Sequence, residues 1–239
     1  MIEPLPAAIC CFANAVALSS AAIFALIAST SFGFDASDVW TFFHSHAFDF
    51  SVWEIWGPLL HGGRLVVVSY SISRSPGEFL ALIAREGVTI LNQTPSAFYQ
   101  LVQAEREHPE LGRTLVLRHV IFGGEALDVR RLEDWYEHHL DSAPVLINMY
   151  GITETTVHVS HIRLDRQLAV GNRGSLIGRG ISDLRVYVLD DWLEPVAVGV
   201  VAHVFHRHSV QTRSSCSGLP RKRGGGLAWF HFVYKPEMI

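Results

Sequence analysis

The sequence predicts an α/β fold, a largely parallel sheet with flanking helices. Two observations carry that expectation. Short β-branched or aromatic runs alternate with helix-period stretches from residue 39 to residue 150, the signature of βαβ units. Capping and stop residues also punctuate the helical stretches at suitable distances. Composition agrees, because 49% hydrophobic and 18% charged residues in a 239-residue chain supply a core and exclude a disordered polymer.

In chain order, residues 39–43 (VWTFF) read as the first strand. Ser51-Val52-Trp53-Glu54 has capping-box spacing before an apolar stretch, and His61-Gly62-Gly63 stops that helix. The run RLVVVS at 64–69 predicts a second strand, its three valines indicating burial on both faces. Ser75-Pro76-Gly77-Glu78 is another capping box, with Pro where its missing N–H costs nothing. Phe79, Leu80, Leu82 and Ile83 form the following stripe, and Gly87 ends it. Residues 88–91 give a third strand, and Thr94-Pro95 opens a helix carrying Phe98, Leu101 and Val102. Val120-Ile121-Phe122 runs into Gly123-Gly124, and Asp128 caps a helix to about His138. Val145-Leu146-Ile147 then ends at Asn148-Met149-Tyr150-Gly151. Ligands of such sheets sit beyond the carboxyl ends of the strands, where residues 48–53, Asn92, 123–125 and 148–154 fall.

Charge narrows the function classes. The net charge of −4 implies no general affinity for nucleic acid. Residues 1–200 carry 13 Arg, 22 acidic residues and no Lys, whereas 201–239 are basic and hold both lysines, Lys222 and Lys235. A Walker-type GxxxxGK[ST] loop is therefore excluded from the body. Cys10, Cys11 and Cys216 make neither a disulfide framework nor a CxxC pair, so a reducing, cytoplasmic setting is expected. Residues 5–34 are uncharged and mostly apolar, but no basic flank precedes them and Asn14, Ser19 and Ser20 interrupt the run. A buried helix is favoured there over a membrane segment or signal.

Several motifs then become recognisable. Asn148-Met149-Tyr150-Gly151-Ile152-Thr153-Glu154 resembles the NxYGxTE motif, and Phe48-Asp49-Phe50-Ser51-Val52-Trp53-Glu54 the FDxSxWE segment, of amino-acid adenylation domains in nonribosomal peptide synthetases. Leu91-Asn92-Gln93-Thr94-Pro95-Ser96, Phe122-Gly123-Gly124-Glu125-Ala126-Leu127 and Ile177-Gly178-Arg179 support the resemblance, which covers residues 32–200. It implies part of the large N-terminal domain of an adenylate-forming enzyme. The implied activity is ATP- and Mg²⁺-dependent activation of an amino acid, followed by loading onto a phosphopantetheinyl carrier protein among neighbouring synthetase modules.

The resemblance also implies roles. Tyr150 stacks on adenine, Thr153 donates to a phosphate and Glu154 helps hold Mg²⁺, with Gly123, Gly124, Glu125, Asn148 and Gly151 completing the nucleotide set. A carboxylate after a strand is ordinarily solvated, and only the motif lifts Glu154 above that reading. Asp49 pairs with the substrate ammonium, its bland alternative being a helix N-terminal acid serving the macrodipole. The pocket positions that can be read are Asp49, Phe50, Trp53, Asn92, Ile121, Gly123, Met149, Val157 and His158. They resemble the family's threonine-selecting signature, with Asn92 and His158 able to bond a β-hydroxyl inside an apolar wall.

Other tempting residues have plainer readings. His44 and His46 on a strand would share a face, and His158 and His161 are three apart, but no Cys or acid completes a metal set. Residues 171–174 (GNRG) read as a turn, and Arg221-Lys222-Arg223 suggests a basic address signal that an exposed disordered tail explains as well. The family's phosphate loop has no counterpart in residues 1–31. Residues 195–199 approach a GELxxxG segment, but the match stops at 200, short of the ribose-binding Asp and catalytic Lys. The expected organisation is an apolar segment 1–31, a partial adenylation domain 32–200, and a basic tail 201–239 read as out-of-frame or unrelated translation. Such an incomplete copy is expected to be inactive alone. Two rivals remain: a non-catalytic remnant or scaffold with a residual pocket, and a protein anchored in a membrane through residues 5–30.

Overall fold

The computed structural model describes residues 26–27, 32–151, 157–170 and 175–182, and the backbone of three further strands at 184–189, 203–208 and 230–233. The main sheet has seven strands in the order β2-β1-β3-β4-β5-β6-β7. These are β1 (Val39–Phe42), β2 (Arg64–Val67), β3 (Ile90–Gln93), β4 (His119–Phe122), β5 (Val145–Tyr150), β6 (Ser160–Arg163) and β7 (Arg179–Gly180). The first five are parallel, and β6 and β7 add antiparallel strands beyond β5. A second, antiparallel sheet joins β8 (Leu184–Leu189), β9 (His203–His208) and β10 (Phe230–Val233) in the order β10-β9-β8.

The strand order fixes where the helices go. From β1 the chain moves outward to β2 through α1 (Phe50–His61). It then returns past β1 to β3 through α2 (Tyr70–Ser73) and α3 (Pro76–Glu86), and continues to β4 through α4 (Pro95–Glu107) and α5 (Pro109–Gly112). Right-handed crossovers in opposite directions put their helices on opposite faces. Two cores result. Phe79, Leu80, Ile83, Phe98 and Leu101 of α3 and α4 pack with Leu91, Val120, Phe122 and Leu146 on one face. Phe50 and Trp53 of α1 pack with Trp40, Ile90, Ile121 and Ile147 on the other. Leu26 and Ile27, helical and buried, join the second core. They are the described part of residues 1–31. Among the described residues no helix is long and apolar enough to cross a membrane.

Local details depart from the sequence expectations for physical reasons. α1 begins at Phe50 with Asp49 at its N-cap position and no side-chain capping bond, so Ser51 and Glu54 do not form a capping box. Gly57 lets α1 approach the sheet, because a Cβ there would lie 2.5 Å from the Trp40 ring. β2 is not buried on both faces: among the described residues it is an edge strand paired only with β1, and Val67 is 69% exposed. Ser75 makes no side-chain capping bond at α3, whereas the Thr94 hydroxyl accepts from Ala97 N–H at α4. β3 starts two residues later than its apolar run, because Thr89 is held by Val39 O and Asp38 instead. Asp128 does cap, but a 3₁₀ turn (Val129–Leu132) followed by α6 (Glu133–Tyr136) replaces one continuous helix. A short α7 (Arg166–Val170) packs on that turn.

Candidate functional site

β1 and β3 pair at Trp40–Ile90 alone, and the connections that leave them run to opposite faces. This is the topological switch point of the sheet, the place where open α/β sheets bind ligands. The predicted pocket residues gather there. Phe50, Trp53, Ile121, Met149 and Val157 share the core on the α1 face. Trp53 Nε1–H donates to Asn92 Oδ1 at 2.9 Å across the gap between β1 and β3. The His158 ring stands edge-on to Phe50 at 5.2 Å and to Trp53 at 5.4 Å. Gly123 leaves room for both, since a Cβ there would sit 3.1 Å from His158 and 3.3 Å from Phe50. Asp49 precedes Phe50 at the start of α1, half-buried.

The site's polar atoms are under-bonded. Asn92 Nδ2 and both His158 nitrogens are buried with no hydrogen-bond partner among the described residues. Burial alone drives the His158 pKa from the ordinary 6.5 to about 3, so the ring is neutral. Val157 holds a φ of +69°, a left-handed conformation that costs a β-branched residue about 1–3 kcal/mol.

Of the residues assigned to nucleotide binding, Gly123, Gly124 and Glu125 follow β4, Tyr150 ends β5 and Gly151 follows it. Gly124 takes φ +81°, and its missing Cβ admits the Phe48 ring. Glu125 accepts from Ser96 N–H (3.1 Å) and Ser96 Oγ–H (2.9 Å) at the N-terminus of α4. Asn148 lies within β5 and donates from Nδ2 to Leu176 O at 2.7 Å. Tyr150 is half-buried, which raises its hydroxyl pKa. Thr153 and Glu154 lie outside the described residues. So do the 171–174 turn, residues 195–199, Arg221-Lys222-Arg223, Lys235 and the three cysteines.

One pairing was missed in the sequence. His44 and Glu54 bond each other at 3.0 Å inside the protein. Its available signal was a carboxylate on the apolar face of a helix. β1 ends at Phe42, so His44 and His46 do not share a strand face as expected. Among the described residues no cluster of His, Cys, Asp and Glu is arranged for a metal. Two surface clefts of about 520 and 430 Å³ lie among the helices that follow β2, β3 and β4. Neither contains a pocket residue, apart from the switch point as they are, and the chemistry of the buried set outweighs their size.

A family model for AMP-binding enzymes matches residues 14–212, and the chain belongs to that family. The match begins before Phe32 and ends beyond Val200. The chain is 66% identical over 174 residues to a dimodular nonribosomal peptide synthase of Bacillus subtilis (strain 168), covering 73% of this chain and 7% of that protein. It is 48% identical over 178 residues to syringomycin synthase SyrB1 of Pseudomonas syringae pv. syringae, covering 73% and 28%. The crystal structure of the nonribosomal peptide synthetase FmoA3 superposes with a TM-score of 0.70 at 21% identity, over 79% of this chain and 20% of that one. Within the family the chain is thus a partial domain of the adenylation type found in nonribosomal peptide synthetases.

Proposed function

We propose that this chain serves the ATP-dependent activation of an amino acid, L-threonine, as its aminoacyl-adenylate, for loading onto a phosphopantetheinyl carrier protein. The observation that carries the reading is the gathering of Phe50, Trp53, Asn92, Ile121, Gly123, Met149, Val157 and His158 at the switch point, next to Asp49. In this reading a substrate carboxylate oxygen attacks the α-phosphorus of ATP, the bond from that phosphorus to the α,β-bridging oxygen breaks, and pyrophosphate leaves. Asp49 orients the nucleophile by pairing with its ammonium. Tyr150 offers a face to adenine, while Gly123, Gly124, Glu125, Asn148, Gly151 and Thr153 border the nucleotide. Mg²⁺, held with the help of Glu154, supplies charge neutralisation at the phosphates.

Threonine is favoured over valine by the polar atoms. A β-hydroxyl can bond Asn92 Nδ2–H and a His158 nitrogen, both of which valine leaves unpaired. An unmade bond of that kind costs about 1–3 kcal/mol, roughly 5- to 150-fold in selection. The test is a chimera carrying this chain's matched segment in the 66%-identical Bacillus domain, assayed for amino-acid-dependent ATP–pyrophosphate exchange. Threonine should exceed valine by about tenfold or more. Equal or better turnover of valine rejects the threonine assignment, and no exchange with any amino acid rejects activation.

A further inference from the structure

Glu54 turns back from α1 to the chain that leads into the helix. Its Oε2 accepts from the N–H groups of Phe43 (3.3 Å) and His44 (3.1 Å), and its Oε1 meets His44 Nδ1 at 3.0 Å. The two side chains are 0% and 7% exposed. A carboxylate so deeply buried persists only with donors of this kind. The bonds staple the end of β1 to the helix and enclose the segment that carries Asp49. Within that segment Phe48 N–H donates to Ser45 O (2.9 Å), Ser51 N–H to Phe48 O (3.0 Å) and Val52 N–H to Asp49 O (2.9 Å).

The same pair shapes the pocket wall. The His44 ring stacks on Phe50 at 4.8 Å and 24°, and Phe50 in turn meets the His158 ring. The Glu54–His44 contact places one proton between Oε1 and Nδ1, and the buried Nε2 of the ring has no partner among the described residues. The pair therefore gains little for the core beyond holding the segment and the ring.

We infer that His44 and Glu54 are positioning residues for amino-acid binding, setting the backbone at Asp49 and the ring plane of Phe50 without touching the substrate. The inference rests on the roles proposed above for Asp49 and Phe50, and adds two residues those roles do not include. Removing the clamp releases Asp49 from its helix start and deprives Phe50 of its stacking partner. Asn at position 44 can still present an N–H near the place of Nδ1, so it serves as the conservative replacement.

The 239-residue protein and its His44→Ala, His44→Asn and Glu54→Gln variants would be compared in two measurements. The first is amide hydrogen exchange. In His44→Ala and Glu54→Gln, Ser51 and Val52 should exchange at least about tenfold faster along with Phe43 and His44, while α4 amides hold their rates. The second is L-threonine affinity read from tryptophan fluorescence. It should weaken by about tenfold or more in His44→Ala and recover largely in His44→Asn. Faster exchange confined to Phe43 and His44, or a threonine affinity unchanged by His44→Ala, overturns the inference. A parent protein that binds no threonine tells against the amino-acid reading instead, and the exchange rates at Ser51 and Val52 then decide the positioning role alone.

Discussion

Replacing His158 with Leu should make the protein less sensitive to acid. The ring is 3% exposed, and neither nitrogen has a partner among the described residues. Leaving such a group unpaired costs about 1–3 kcal/mol. Leu fills similar space without that cost, and forgoes edge contacts with Phe50 and Trp53 worth about 0.5–1.5 kcal/mol. The two terms nearly offset near neutral pH, leaving the variant as stable as the parent or about 1 kcal/mol more so. Acid separates them. The unfolded chain protonates this ring near the ordinary 6.5, and the folded one only near 3. The unfolded state therefore binds the extra proton, and stability is lost as pH falls through 6.5 towards 3. From about pH 7.5 to pH 5.5 the loss amounts to about 1.4 kcal/mol, a figure insensitive to how far below 5 the folded value lies. Urea unfolding followed by tryptophan fluorescence, with parent and His158→Leu at both pH values, measures the gap. An equal pH dependence in the two proteins would show that His158 is not buried neutral, and the argument fails.

Three further substitutions probe the frame around the site by the same unfolding assay. Arg118→Ala should cost about 2 kcal/mol, because Asp38 is wholly buried and loses a 2.7 Å partner; the cost stays below that of a fully buried pair since Arg118 is 39% exposed. A loss under about 0.5 kcal/mol would mean that the Thr89 hydroxyl and the Asp35 N–H together satisfy Asp38. Gly57→Ala should lower stability by about 1–3 kcal/mol through collision with Trp40, outweighing the gain of about 1 kcal/mol in helix propensity. An unchanged urea midpoint would show that α1 can retreat from the sheet. Phe98→Ala should cost about 3–5 kcal/mol, since the ring is fully buried between Phe122 at 5.0 Å and Trp135 at 4.9 Å. A cost below about 2 kcal/mol would indicate that the helical layer collapses into the space.

Alternating apolar runs made the parallel sheet legible in the sequence, because hydrophobic period and crossover rules are local and strong. What failed was what depends on neighbours. RLVVVS reads as a doubly buried strand, yet its place at the edge is set by the strand that pairs with it and is invisible in the run itself. Ser51 to Glu54 has the spacing of a capping box, but the helix starts one residue before Ser51 and the carboxylate finds three donors near the end of β1. Asp128 shows the reverse case, a correct cap on a helix that the following residues wind as 3₁₀. The candidate pocket set comes only from the family resemblance. No periodicity joins Asn92 to Trp53, which are 39 residues apart and meet because β3 lies beside β1.

Buried atoms without partners are spread through the described core, in Trp135 and Tyr136 of the helical layer as well as at the sheet. Number alone therefore does not mark a site. Position does. Asn92 Nδ2 and the two His158 nitrogens share the α1 face with Phe50 and Trp53, at the point where β1 and β3 part. Apolar residues of like size at 92 and 158 would complete that core at lower cost, so the stability forgone there calls for a return in binding. On the proposed reading, a small solute with one hydroxyl and an apolar branch would recover it. Asn92 already accepts from Trp53, so its amide orientation is fixed and its free N–H is aimed in advance. Pre-aimed donors of this kind lower the ordering cost of binding and reject a ligand that lacks the matching oxygen. On the proposed reading, the polar pair accounts for both a weaker core and a sharper choice of substrate.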